Sequence, residues 1–396
     1  MRGFGIVGVV VAVVSGCGPA TSGPCVAEAL TTAAVAGGKT LAPFSCWTAD
    51  REINVSDGTL AIGEGVTITF AQNASLRVTG QGRLRAVGTA AAPIVLRGQD
   101  DRRGAWKGVG VSTDATDNRL EHVQLTGAGN AAWTGNNDSK AALFVDDVGG
   151  LALVSTRISK SAWYGVFTEG AASRIGPFTG VRFDDNERIA RLHANTAGAF
   201  GGDTTFDGNS ESVVRLGYGA SDQVRAAATW RRLAVPWLVT ARVLLYAAVT
   251  IEAGATFRFA QGAGFNMRND AGNSGSLDAT GTAAAPIVFT GEEELAGSWL
   301  GLAYETSSTS NKLAHASVRF AGRQGWDGNS FSKAAVYVDN NSSLALDTVT
   351  IGSSAGYGLH LVSATNSQAS CTAVTFEASN ASGPISIARM AAMACP

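Results

Sequence analysis

The chain has 396 residues, enough for two average domains or one elongated repeat protein, and its formal net charge of −2 argues against nucleic-acid binding or charge-driven membrane attraction. Hydrophobic residues make up 45% and charged residues 16%, so there is apolar material for a large core, with surface polarity left mainly to Ser, Thr, Asn and Gly. Glycine occurs 49 times without a Gly-X-Y period, which excludes collagen.

The chain begins MRGFGIVGVVVAVVSGCGPA. Arg2 supplies a positive n-region and residues 3–14 an apolar stretch too short to span a bilayer comfortably, the layout of a secretory signal over 1–16. The junction Val14, Ser15, Gly16, Cys17 resembles the lipobox of bacterial lipoproteins. That resemblance implies a diacylated N-terminal Cys17 and a membrane partner, since several acyl chains on one residue anchor stably. Gly18, where lipoproteins held at the inner membrane often carry Asp, favours the outer membrane. A lipid-anchored segment follows over 17–45, with a helix predicted across 25–36 (CVAEALTTAAVA) and a role as N-terminal cap. Cys25, Cys46, Cys371 and Cys395 remain, and of their three pairings we expect Cys25 with Cys46 and Cys371 with Cys395. Each closes a loop at one end of the mature chain, and such pairs persist in an oxidising compartment.

The rest of the chain repeats itself. GTAAAPIV occurs at 88–95 and again at 281–288, and the same offset of 193 relates Trp106 to Trp299, His122 to His315, Lys140 to Lys333 and Tyr164 to Tyr357. Upstream the offset falls to 189, pairing AIGEGVTITFAQNASLRV (61–78) with TIEAGATFRFAQGAGFNM (250–267); a four-residue insertion in RNDAGNSGS accounts for the change. We therefore expect two homologous modules, 46–232 and 233–396, the second including a C-terminal cap. Within each, VTITFAQ alternates Val66, Ile68 and Phe70 with Thr67 and Thr69, the period of a half-buried strand. Short strands punctuated by Gly, Asn, Asp and Ser leave no room for interleaved helices. Antiparallel sandwiches and a parallel β-helix both satisfy that pattern. The tight corners and the recurrence of similar residues at coil-length intervals favour the β-helix. Segment 221–249 lacks the composition of a flexible linker, and its Trp230, Pro236, Trp237, Leu244 and Tyr246 predict a packed junction.

The run INVSDGTLAIGEGVTITFAQNASLRVTGQGRLRAVGTAAAPIVLRG, GAWKGVGV and NRLEHVQL, repeated as ARVLLYAAVTIEAGATFRFAQ, GTAAAPIVFTG, GSWLGLAY and NKLAHASV, resembles the right-handed parallel β-helix lipoproteins of the pectate-lyase-like superfamily. The resemblance covers most of the mature chain. It implies an all-β, right-handed parallel β-helix solenoid whose open ends are capped. It rests on core and turn positions and so says little about function.

Enzymes on that fold use acidic Ca²⁺ ligands beside a cationic base. The acidic doublets here are Asp100 with Asp101, Asp146 with Asp147 and Asp184 with Asp185, each too small alone for calcium. Glu121 becomes Ala314 in the second copy, and the histidines His122, His193, His315 and His360 lack the converging partners a metal needs. No nucleophile elbow, phosphate loop or zinc motif occurs, and we expect no metal or other cofactor. What recurs instead is a loop, WTGNNDSKAALFVD (133–146) and WDGNSFSKAAVYVD (326–339). Trp133 and Trp326 offer surfaces for sugar rings, and Asn136, Asn329, Lys140 and Lys333 offer hydrogen-bond donors. The alternative is that Trp caps the core, Gly-Asn makes the turn and Lys is solvated. The expected function is a cell-envelope binding or structural role with polysaccharide contact, against an alternative of polysaccharide lyase or glycoside hydrolase. Cys17→Ala should move the protein from the membrane to the soluble fraction; unchanged fractionation would count against the lipid anchor.

Overall fold

The computed structural model describes residues 25–363 and 368–387. Positions 1–24, including Cys17 and the secretory segment, lie outside the described residues, as does Cys395. The architecture is all-β, with short strands joined by tight corners. From Lys39–Leu41 to Tyr164–Thr168 each strand pairs in parallel with the strand three places on, so the chain visits three sheets in rotation. The first sheet stacks Cys46–Ala49, Thr67–Phe70, Ile94–Gly98, Val123–Thr126 and Arg157–Ser159. The second stacks Thr59–Ile62, Arg83–Val87, Arg119–Glu121 and Gly150–Val154. The third stacks Ile53–Val55, Ser75–Thr79, Gly108–Ser112, Ala141–Val145, Tyr164–Thr168, Arg188–Leu192 and Glu211–Leu216. This pairing is what a β-helix requires, and it excludes the antiparallel sandwiches. Among the described residues the one antiparallel pairing is a small hairpin, Asn269 and Asp270 against Ser274 and Asn273. It is the insertion that shifts the repeat offset.

Period-two alternation sets which side chains face inward. In Thr67–Phe70, Ile68 and Phe70 are fully buried while Thr67 and Thr69 are partly exposed. In-register parallel stacking then places inward residues over one another. In the third sheet the inward ladder runs Ile53, Leu76, Val109, Leu143, Val166, Ala190, Val214. It continues without a break through Trp237, Phe257, Phe289, Val318, Ile351 and Phe376. Each fully buried aliphatic or aromatic rung contributes roughly 1.5–3 kcal/mol relative to exposure.

Corners recur with the sequence. His122 and His315 both take positive φ (49° and 43°), as do Ser155 and Thr348 (45° and 55°) and Lys160 and Ser353 (both 54°). Buried asparagines tie coils together. Asn118 Oδ1 accepts from Leu84 N at 2.7 Å while its Nδ2 donates to Ala115 O and Gly150 O; Asn311 does the same with Leu277 N, Ser308 O and Ser343 O. One amide thus satisfies main-chain groups of three successive coils.

The junction holds a feature the repeat does not announce. The strand Ile94–Gly98 belongs to the first sheet, yet its counterpart Ile287–Gly291 stacks through Thr256–Phe259 and Trp237–Val239 onto Glu211–Leu216 of the third. Likewise the counterparts of Gly108–Ser112, Ala141–Val145 and Tyr164–Thr168 form a new fourth sheet: Leu302–Glu305, Ala334–Val338 and Tyr357–Leu361, stacked on Ser221–Val224, Arg242–Leu245 and Gly264–Asp270. The second copy is therefore set one face round from the first. Trp230 and Trp237 are buried at the junction, as the composition of 221–249 predicts.

The N-terminal segment differs from expectation. Instead of a helix over 25–36, Ala27–Ala29 adds a parallel strand below Cys46–Ala49, and the helix is confined to Thr32–Val35. The reason is covalent and local: the Cys25–Cys46 disulfide, Cα–Cα 5.9 Å, draws the first residues into the sheet, and Thr31 caps the helix by accepting from Ala34 N. Thr32 Oγ1 then accepts from Asn54 N (3.0 Å), occupying a donor on the terminal strand Ile53–Val55. Cys371 is also disulfide-bonded. Because each asparagine leaves three buried main-chain groups unpaired when removed, Asn118→Ala and Asn311→Ala should each lose on the order of 3 kcal/mol in urea unfolding. A loss no greater than that of the exposed Asn137→Ala would refute this role.

Candidate functional site

The repeated loop lies over the outer face of a sheet in both copies. Ala141–Val145 and Ala334–Val338 are buried on both faces, unlike Thr67–Phe70. Their outward residues need a roof, and the loop supplies it. Trp133 is only 7% exposed: it covers Gly110, stacks 5.7 Å from Phe144, and donates from Nε1 to Ala141 O at 3.0 Å. A Cβ at Gly110 would lie 2.4 Å from the Trp133 ring, so only glycine fits beneath it. Lys107 lies over the ring at 4.6 Å, its ammonium lowered in pKa by burial.

Outside that aromatic roof the first copy carries a charged and aromatic plateau. Arg188 stacks on Trp163 at 3.7 Å and pairs with Glu211 at 3.1 Å and Asp138 at 3.6 Å. Asp138 also takes Arg191 and the Trp163 indole N–H, and Glu211 takes Arg215. Asn136 accepts from Asp138 N through its Oδ1 and donates from Nδ2 to Tyr218 Oη at 2.7 Å; Arg191 sits 5.0 Å over the Tyr218 ring. Burial pushes the Tyr164 phenol up, so it stays protonated. Lys140 contributes through its main chain, its carbonyl accepting from Tyr164 N.

The second copy has the same roof and a different surround. Trp326 is 8% exposed, with Arg242 over it at 4.5 Å, and it clusters with Leu300, Ala303 and Tyr337. Asn329 caps the following turn through Phe331 N, and the Lys333 carbonyl accepts from Tyr357 N at 2.8 Å. Tyr337 stacks on His360 at 5.6 Å. Arg268 pairs with Glu305 at 3.4 Å. Glu305, Asp327 and Asp339 all act with burial to raise the Tyr337 phenol. Of the six loop residues picked from sequence, the two tryptophans are thus buried roof pieces. Asn136 and Asn329 are exposed turn caps, and Lys140 and Lys333 are half-exposed turn ends. The neighbours that carry the plateau, Trp163, Arg188, Arg191, Arg215, Tyr218 and Arg242, come from other strands and corners.

The acidic doublets are engaged with cations or main-chain donors. Asp101 pairs with Lys160 and Asp185 with Arg103, both at 2.7 Å, Asp184 with Arg157 and Asp100 with Arg102. Asp147 accepts from Ala172 N, and Asp146 together with burial raises the Glu169 carboxyl. Glu121 pairs with Arg119. His193 makes a pair missed in the sequence: its Nε2 meets the buried Asp222 at 2.5 Å while Nδ1 accepts from Asn195 N, so neither ring nitrogen is left for a substrate. Among the described residues no group of three or more His, Cys, Asp or Glu side chains could hold a metal ion. No family model, curated protein or solved structure matches the chain.

Burial holds the His360 imidazolium below its ordinary pKa of 6.5, with Asp327 opposing in part. The unfolded chain therefore binds a proton that the folded one resists, and this residue's contribution to stability falls as pH drops below 6.5. His360→Phe should flatten the pH dependence of the unfolding midpoint in that window; an unchanged slope would refute the assignment.

Proposed function

We propose that the protein is a cell-envelope lipoprotein, anchored through Cys17, that contacts polysaccharide without catalysing a reaction. We read the fold as a right-handed parallel β-helix of two tandem homologous modules. The three-sheet rotation supports the β-helix, and parallel crossovers are right-handed in nearly all known cases. The repeated octapeptide and the paired positive-φ corners support the two modules.

The observation that carries the function is the outer plateau beside each copy of the loop. In the first copy Trp163 and Tyr218 alternate with Asn136, arginines and carboxylates, and beside the second loop Arg242 lies over Trp326 while Arg268 pairs with Glu305. Sugars present apolar ring faces and dense hydroxyls, and such a surface answers both: rings for the faces, amide, guanidinium and carboxylate groups for the hydroxyls. The acidic doublets, each bound to a neighbouring cation or main-chain donor, give the lyase or hydrolase reading no comparable support.

The full chain should be retained on immobilised envelope polysaccharides, with weaker retention for Trp163→Ala and Tyr218→Ala. Stacking contacts of this kind are worth about 0.5–1.5 kcal/mol, a threefold to tenfold loss per ring. Absence of retention on every polymer tested would sink the reading, as would product release from any of them.

A further inference from the structure

The two copies of the loop are held very differently. In the first, the Trp133 indole is hydrogen-bonded, and Asp138 is fixed by Arg188, Arg191 and Trp163. In the second, Phe331 stands where Asp138 does and is 81% exposed. Gly356 stands where Trp163 does. The Trp326 indole N–H is buried with no partner, and so is Arg242 Nε; Arg242 makes no ion pair among the described residues.

Beneath this loop lies Asn266. It faces outward from Gly264–Asp270, in register with Ala303 of the Trp326 cluster and two residues from Gly264, where a Cβ would lie 3.1 Å from the Trp326 ring. Asn266 is fully buried, and neither its Oδ1 nor its Nδ2 has a hydrogen-bond partner. The first copy has Arg77 at the equivalent position. A buried amide left without partners is costly, so a closed second loop is held against a standing penalty.

We propose that 323–333 is a movable lid and that the face beneath it, with the lid's own Trp326 indole, binds one neutral, hydroxyl-bearing sugar unit through Asn266 and Arg242. This rests on the carbohydrate reading above and gives it a location. An amide donates and accepts at once, which matches a hydroxyl, while Arg242 and the indole donate to hydroxyl oxygens. Neutrality follows from the surroundings: with the lid raised, Arg242 and Arg268 are balanced by Glu305 and Asp339, so the face carries no net charge to attract a charged sugar. Lifting the lid frees the Trp326 ring for stacking and exposes the orphaned groups, so ligand and water compete for the same partners.

Hydrogen exchange on the unliganded full chain tests the lid. The amides of Phe331 and Ser332 should exchange at least tenfold faster than those of Asp138 and Ser139, and equal rates would overturn it. Binding is tested with labelled neutral oligosaccharides of glucose, galactose and mannose against Asn266→Leu. The variant should bind at least tenfold more weakly than the wild type while melting at the same temperature or higher, because an orphaned buried amide is gone. A lower melting temperature would mark Asn266 as structural and overturn the proposal. If the wild type binds and Asn266→Leu binds equally, this site fails and the general reading stands. If the wild type binds none of these but does bind acidic glycans, the neutral-sugar assignment fails alone; if it binds no glycan, both fail.

Discussion

In-register stacking of parallel strands is the constraint on which everything else here depends. A coil of this chain cannot bury its own inward residues; the coils above and below do so, and they can only if inward residues stay over inward residues. The ladder from Ile53 to Phe376 keeps inward residues over one another through the one-residue register shift at Arg188–Leu192 and through the junction, where Val214 hands over to Trp237. Corners then become the weak points, since every turn must return the next strand to the same height. Asn118 and Asn311 bridge three coils apiece, and residues such as His122 and His315 accept left-handed conformations to complete the turn.

Much of this was legible in the sequence because it is periodic. Alternation in VTITF gave the facing of Ile68 and Phe70, and the identical octapeptides marked the sequence repeat. The extent of the N-terminal helix was misjudged because CVAEALTTAAVA has helical composition throughout, while a disulfide and a neighbouring strand edge decide the outcome for its first half. The position of the second copy was not legible at all. It depends on how many strands the junction contributes, and Ser221–Val224 and Ala228–Trp230 carry no signature in the repeat.

The loop shows how local pattern can mislead about exposure. Trp-x-Gly-Asn reads as a surface turn, and its Gly-Asn does sit outside. The informative signal was in the next residues: AALFV and AAVYV lack polar alternation, so both faces of those strands had to be covered. Trp133 and Trp326 cover them. The arginines of RIARL and SVVRL, outward partners of Phe167 in the ladder, were legible as an exposed stripe only once Phe167, Arg191 and Arg215 were known to be neighbours.

Divergence between the copies follows from the same geometry. Core positions are shared because the ladder fixes them, whereas plateau positions answer only to their immediate surroundings, so Arg77 and Asn266, or Asp138 and Phe331, can part company without disturbing a coil. The offset of one face at the junction then has a mechanical meaning. The plateaus beside the two loops lie on different sheets of the helix, so a single stiff strand of polymer laid along one would miss the other. If the proposed polysaccharide contact holds, a rod with two such faces would bridge separate strands and not track one, and its grip on a mesh would grow with the number of strands within reach.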